Sequence, residues 1–182
     1  MNRDELIGLL QTPDPLRAAE LAGVGLGGVI TYSRTPAPSD WVVDGETEQP
    51  LEVHRAAHAA GTPSEAAVRY GAGVPVAHTV DRLIALGELA SDTGLLRAVS
   101  PVPGEGNQSR PGSWGVEDLV VIALARYVLP SSTLVRPDWV HLGSAAAQVA
   151  VAFGANDWQI PAGDTTDASW LAQAVGRRAV AR

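Results

Sequence analysis

The chain has 182 residues, enough for one domain with a substantial core, and 46% of them are apolar, many being Ala and Val with a single Phe. A formal net charge of −7, with no basic run longer than Arg177-Arg178, argues against nucleic acid as a partner, because phosphate binding needs a basic face. The absence of cysteine excludes disulfides, thiolate metal sites and cysteine nucleophiles, and no segment reaches the roughly 18–20 continuous apolar residues of a membrane span.

The N-terminus, MNRDELIGLL, carries acids and no apolar h-region, so it does not read as a signal peptide, and a cytoplasmic protein is expected. Asn2 and Glu5 have capping-box spacing, which predicts a helix through LIGLL. Asp14-Pro15 opens a second helix that Gly23 closes, and the pair is expected to pack Leu6, Leu9, Leu10, Leu16 and Leu21. GVGLGG (23–28) lacks GxGxxG spacing and a P-loop Lys, so it is a turn, and Val29 to Tyr32 is a β-prone run. Pro36 to Pro50 is a Pro- and acid-rich loop with Trp41-Val42-Val43 as its apolar island.

VHRAAHAAG (53–61) predicts a helix ending at Gly61. The next stretch, TPSEAAVRYGAG, is open between two states: Thr62 to Glu65 fits a helix capping box, whereas the run before the glycines fits a strand. Residues 78–94 form a helix with Val80, Leu83, Ile84 and Leu86 on one side and Gly94 as its stop. A strand follows from Leu95 to Val102, then the turn-rich loop PGEGNQSRPGSWG, and Gly115 to Asp118 starts a helix with acids where the dipole favours them. Val135 to His141 is expected as a strand interrupted by Pro137, Ala145 to Phe153 as a helix, Trp158 to Ile160 as a strand, and Ser169 to Arg182 as a terminal helix.

Strands alternating with helices imply βα units on a parallel sheet. The predicted class is therefore α/β: a half (β/α)8 barrel, a partial TIM-type barrel of about four βα units. An N-terminal segment (1–50) of helices, a short strand and a loop precedes the half-barrel region (51–182). A small open doubly wound sheet is the alternative.

Several segments resemble a radical-SAM family, that of aminofutalosine synthase, dehypoxanthine futalosine cyclase and the deazaflavin synthase subunits. VHRAAHAAGTPSEAAVRYG is similar to the helix leading into the family's fifth strand, and DRLIALGELASDTG to the helix after it. VEDLVVIALARYVLP, VRPDWVHLG and AAQVAVAFGANDW are similar to the last two barrel units. The resemblance covers roughly residues 51–160, favours a strand for the run before the glycines of TPSEAAVRYGAG, and makes GVITYSRTPAPSDW a vestige of the family's first strand. Three features depart from it: the family's Cys-x3-Cys-x2-Cys loop is missing, so are the four barrel strands that would precede residue 51, and Ala72-Gly73 stands where a His follows the family's Tyr-Gly. Reductive cleavage of S-adenosylmethionine needs a thiolate-held cluster. The chain alone is thus not expected to perform it, and no cofactor is expected.

His54 and His58 lie four apart on one helix face, a metal-binding spacing, but Arg55 stands where a metalloprotease has Glu. Packing is the expected role, and no metal site is assigned. His78 reads as a helix-start residue. In the barrel reading the loop Pro103–Gly112 borders the mouth, with Glu105 as acid/base and Asn107 and Arg110 holding an anion. His141, after the expected seventh strand, joins Glu105 as a catalytic candidate. Tyr70 and Asp157 join the ligand-binding set, although the simplest role of Asn156-Asp157 is capping and turn formation. Glu117 and Asp118 are adjacent, so they do not face each other as an acid/base pair.

Two functions are weighed. One is a cluster-free binding, regulatory or partner module linked to menaquinone (futalosine-pathway) or deazaflavin biosynthesis. Unpaired sheet edges would then favour a homodimer or a full-length radical-SAM enzyme as partner. The other is a small cluster-free enzyme acting on a futalosine-like or other small anionic metabolite.

Overall fold

In the computed structural model, residues 1–23, 28–34, 48–104 and 115–182 are described. The capping box forms: the Glu5 backbone N–H donates to Asn2 Oδ1 at 3.0 Å and the Asn2 N–H to Glu5 Oε2 at 2.8 Å, starting helix α1 (Arg3–Gln11). Asp14 Oδ1 accepts from the N–H groups of Leu16 and Arg17 to start α2 (Pro15–Ala22), and Gly23 ends it at φ 59°. Leu6, Leu9 and Leu10 are buried and Leu21 packs against them, as the sequence predicts. Leu16 is not part of that contact: it is 78% exposed, and α2 turns Ala18 inward instead.

After β1 (Val29–Ser33) come α3 (Leu51–Ala59), β2 (Ser64–Tyr70), α4 (Val76–Thr93), β3 (Leu96–Pro103) and α5 (Val116–Val128). Then follow β4 (Leu134–Val135), α6 (Trp139–Val149), a 3-10 turn Ala150–Phe153, β5 (Asp157–Gln159), α7 (Ala168–Ala174) and β6 (Arg178–Ala181). The ambiguous stretch is the strand β2. Ala66, Ala67 and Val68 are fully buried, the continuous apolar run of a parallel strand covered on both faces. A helix there would turn part of that run to water.

Two other expectations are corrected. The strand predicted from Val135 to His141 is only Leu134–Val135, because Pro137 has no N–H to give a ladder and Asp138 caps α6 by accepting from the His141 N–H at 3.1 Å. His141 therefore sits in the first turn of a helix and is exposed. The predicted terminal helix stops at Ala174, Gly176 takes φ 68°, and Arg178–Ala181 becomes a strand.

All strands pair in parallel, in two three-stranded sheets ordered β5-β1-β6 and β2-β3-β4. Asn156 links them: its side-chain oxygen accepts from the Val135 N–H at 2.8 Å, its N–H donates to the Val135 carbonyl at 3.1 Å, and its own carbonyl accepts from Thr31 N–H at 3.0 Å. The prolines of β3 fit this short junction. Pro101 lies beyond Val99, the last residue of β3 that pairs with β4, so no ladder donor is lost there.

Helices cover one side. Ala66, Val68, Tyr70, Leu96, Val99 and Val135 of β2-β3-β4 share a core with α1, α4 and α5. Ile30, Trp158 and Ile160 pack with Trp139, Ala147 and Leu171, and the Trp139 and Trp158 rings meet edge-on at 5.9 Å. Seven α-helices are present among the described residues, and no helix there is long and apolar enough to cross a membrane.

Candidate functional site

Strand side chains alternate between faces, and the face turned away from the helices carries charge. Glu65 of β2, Arg136 just after β4 and Asp157 of β5 are 4%, 4% and 0% exposed, and burial this deep is tolerated only for paired charges. Arg136 spans the junction. Its two terminal nitrogens donate to the two Glu65 oxygens at 2.6 Å each, and its Nε donates to Asp157 Oδ2 at 2.6 Å. The Gln159 side-chain oxygen takes a further Arg136 bond at 3.1 Å.

From β6 the fork of Arg182 closes on Asp157, Nε to Oδ1 and Nη2 to Oδ2, both at 2.9 Å, and the Thr31 hydroxyl donates to Oδ1 at 2.5 Å. Two arginines thus balance two carboxylates, with both oxygens of Glu65 and of Asp157 engaged. Burial alone would lower the Arg136 pKa, but the hydrogen bonds and charges of Glu65 and Asp157 outweigh it and hold it raised. Arg136 is a permanent cation that fixes the two sheets to each other.

Above this network the face is polar but less closed. Ser33 and Gln159 are paired across β1 and β5, so they share the face of Thr31 and Asp157. The Ser33 hydroxyl is shut from solvent and has no hydrogen-bond partner among the described residues, a state that costs about 1–3 kcal/mol.

The sequence-predicted residues fall in different places. Asp157 is at the centre of the network. Tyr70 lies on the opposite, helix-covered face, where its hydroxyl donates to Asp118 Oδ1 at 2.5 Å while Asp118 Oδ2 caps α5 by accepting from the Gly115 N–H at 3.1 Å. Burial, then the Asp118 charge, push the Tyr70 phenol above its usual range, so it is a neutral donor holding β2 to α5. His141 is on the surface of α6 and meets neither residue in a hydrogen bond. Glu105, Asn107 and Arg110 lie outside the described residues, as do Val24–Gly27 of the glycine-rich turn and Trp41-Val42-Val43. Sequence reasoning missed Glu65, Arg136, Arg182, Thr31, Ser33 and Gln159. One signal was available: Glu65 heads an otherwise apolar run, and a charge there demands a partner.

His54 and His58 converge on one hydroxyl. Ser64 Oγ lies 2.9 Å from His54 Nδ1 and 2.9 Å from His58 Nε2, and Thr93 Oγ1 lies 2.9 Å from His58 Nδ1. Thr93 spends its proton on the Leu89 carbonyl, so it accepts from His58 Nδ1–H. His58 Nε2 is then an acceptor for the Ser64 proton, and Ser64 accepts from His54 Nδ1–H. The chain runs in one direction and fixes both rings as neutral tautomers between α3, β2 and α4. No group of three or more His, Asp or Glu is placed to hold a metal ion among the described residues.

Burial first, then the charges of Arg82 and His58, lower the His54 pKa to about 4. The unfolded chain, with an ordinary histidine near 6.5, binds the proton more readily than the fold does. The His54 contribution to stability is complete above about pH 6.5 and is lost as pH falls toward 4, by up to about 3 kcal/mol. Urea unfolding midpoints followed from neutral to acid pH should fall through that window, and His54→Asn should flatten the fall.

A cleft of about 550 Å³ lined by Arg3, Leu6, Ile84, Gly87, Glu88 and Tyr127 lies on the helical side, away from the charged face.

No protein-family model matches the chain. It is similar to three curated enzymes named 5-amino-6-(D-ribitylamino)uracil–L-tyrosine 4-hydroxyphenyl transferase. It is 32% identical to that of Archaeoglobus fulgidus over 118 residues, 62% of this chain and 34% of the relative. To that of Methanococcus aeolicus it is 30% identical over 122 residues, 62% of this chain and 33% of the relative. To the second such enzyme of Methanosarcina mazei it is 31% identical over 122 residues, 61% of this chain and 32% of the relative. The chain thus corresponds to about one third of the length of the transferases it resembles.

Proposed function

We propose that this chain is a cluster-free binding or regulatory module of radical-SAM-like descent, built on a half (β/α)8 barrel and linked to deazaflavin biosynthesis. The observation that carries the reading is the charged face. A barrel interior is normally filled by branched apolar side chains, whereas this one holds Glu65, Arg136, Asp157 and Arg182 in a fully paired network. Such a network rigidifies a polar surface on which a small ligand can be oriented.

The similarity to transferases of a ribitylaminouracil and tyrosine supports the deazaflavin side of the resemblance over the futalosine side. The donor set does not fit an iron–sulfur cluster: the chain offers no thiolate, and no step of its chemistry is routed through one. Its partner in this reading is a full-length enzyme of that type, or a second copy, seated on the outer edge of β6. There Arg178, Val180 and Ala181 are exposed, and among the described residues only the β1 side of the strand is paired. Glu105, Asn107 and Arg110, following β3, are assigned to the ligand in the same proposal.

Two measurements test it. Calorimetric titration with 5-amino-6-(D-ribitylamino)uracil and with L-tyrosine should give saturable heat for at least one. Size-exclusion with light scattering should show a dimer, or a complex with a full-length hydroxyphenyl transferase. Flat titrations together with an inert monomer would sink the reading.

A further inference from the structure

At the C-terminal end of the β5-β1-β6 sheet three side chains stand in one row on the charged face. Gln159 and Ser33 are register partners, and Arg182, whose N–H donates to the Tyr32 carbonyl, is level with Ser33 on its other side. Strands spaced by ~4.8 Å put the three within about 10 Å.

A census of their hydrogen bonds gives the row its sign. The Gln159 oxygen is taken by Arg136, which leaves its amide nitrogen, with two protons, unengaged among the described residues. Arg182 uses Nε and Nη2 on Asp157, leaving Nη1 unengaged among the described residues. The Ser33 hydroxyl is the orphan noted above. Beneath the row, all four carboxylate oxygens of Glu65 and Asp157 already accept. In the row itself the unengaged N–H groups of Gln159 and Arg182 outnumber the one open oxygen, that of Ser33, whose hydroxyl can also donate.

A cation needs about six oxygen ligands and this row has one open oxygen, that of Ser33, while an apolar group would leave the donors unmet. An oxyanion satisfies them together, with the Arg182 charge adding to the attraction. We propose that Gln159, Ser33 and Arg182 form a subsite for the carboxylate or phosphate group of a small ligand. The proposal rests on the reading of this face as a binding surface and names the ligand group it takes.

The test uses inorganic phosphate and succinate as separate probes, titrated by calorimetry and thermal shift at ionic strength held constant with chloride. Saturable stabilisation in the millimolar range by either probe is expected, and the stronger of the two separates a phosphate from a carboxylate ligand. Gln159→Glu keeps an oxygen for Arg136 but sets a negative charge in the row, and should weaken binding by roughly tenfold or more. Ser33→Ala should act in opposite directions, raising the melting temperature of the free protein while weakening the anion. No saturation with either anion overturns the subsite, as does binding that both variants leave unchanged. Because neither probe is a transferase substrate, failure of the pathway reading and failure of the subsite give different results.

Discussion

Arg136→Met should cost about 3–5 kcal/mol of folding stability, enough to unfold a large fraction of an ordinary domain. Methionine keeps much of the stem volume but leaves Glu65 buried at 4% exposure with no cation, and removes one of the two arginines from Asp157. The loss comes from stranding charges rather than from deleting a favourable pair, since a buried ion pair gives little net stability once desolvation is counted. A second variant separates these causes. Glu65→Gln with Arg136→Met removes charge from both sides and should recover a substantial part of the loss. Arg136→Lys should fall between, because an ammonium cannot serve Glu65 with two parallel bonds while also reaching Asp157. Guanidinium unfolding of the four proteins checks the order. Equal losses in the single and double variants would show that Arg136 acts by packing alone.

Gly154→Ala should be of similar size, about 3–4 kcal/mol, by a different route. Gly154 ends the 3-10 turn at φ 101°, a conformation costly for any residue with a Cβ. A methyl there would stand 2.5 Å from both Cβ and Cγ of Arg126, where overpacking adds its own cost. Arg126 cannot move aside cheaply. Its guanidinium is fastened to the carbonyls of Leu129 at 2.7 Å and Thr133 at 3.0 Å, with Pro130 as a third acceptor, and so fixes the turn that delivers β4. The displacement would pass to Asn156 and Asp157, two and three residues further on. Thermal unfolding should show the loss, and binding at the charged face should weaken in the fraction still folded.

Local chemistry was legible in the sequence. Asn2 with Glu5, Asp14 with Pro15, and the stops at Gly23 and Gly94 all act within one helical turn, and each element end follows them. The states that failed depend on distant partners. Arg178–Ala181 has no strong strand signal of its own and is extended because Val29–Tyr32 offers it an open edge. Residues 64–70 held helix and strand signals together. The strand prevails because the run is buried on both faces, a property of the tertiary fold. The charged face was less legible still: Arg136 and Glu65 are 71 residues apart, and nothing in the run LVRPDW marks its arginine as buried. Asp157 alone was selected beforehand, from a resemblance rather than from its neighbours.

The position of β1 has a consequence for the order in which the molecule assembles. Its two partners arrive at the far end of the chain, with Asp157 lying 126 residues after the threonine it accepts from. β2 and β3 are joined through α4 by a single local connection and can pair early, at modest loop-closure cost. β1 must wait, with both edges bare, until residues 157–181 have been made. The buried charges wait with it, since Asp157 and Arg182 come within reach of Thr31 only then. Completion of the charged face thus follows the arrival of β5 and β6, which close on β1 from its two sides.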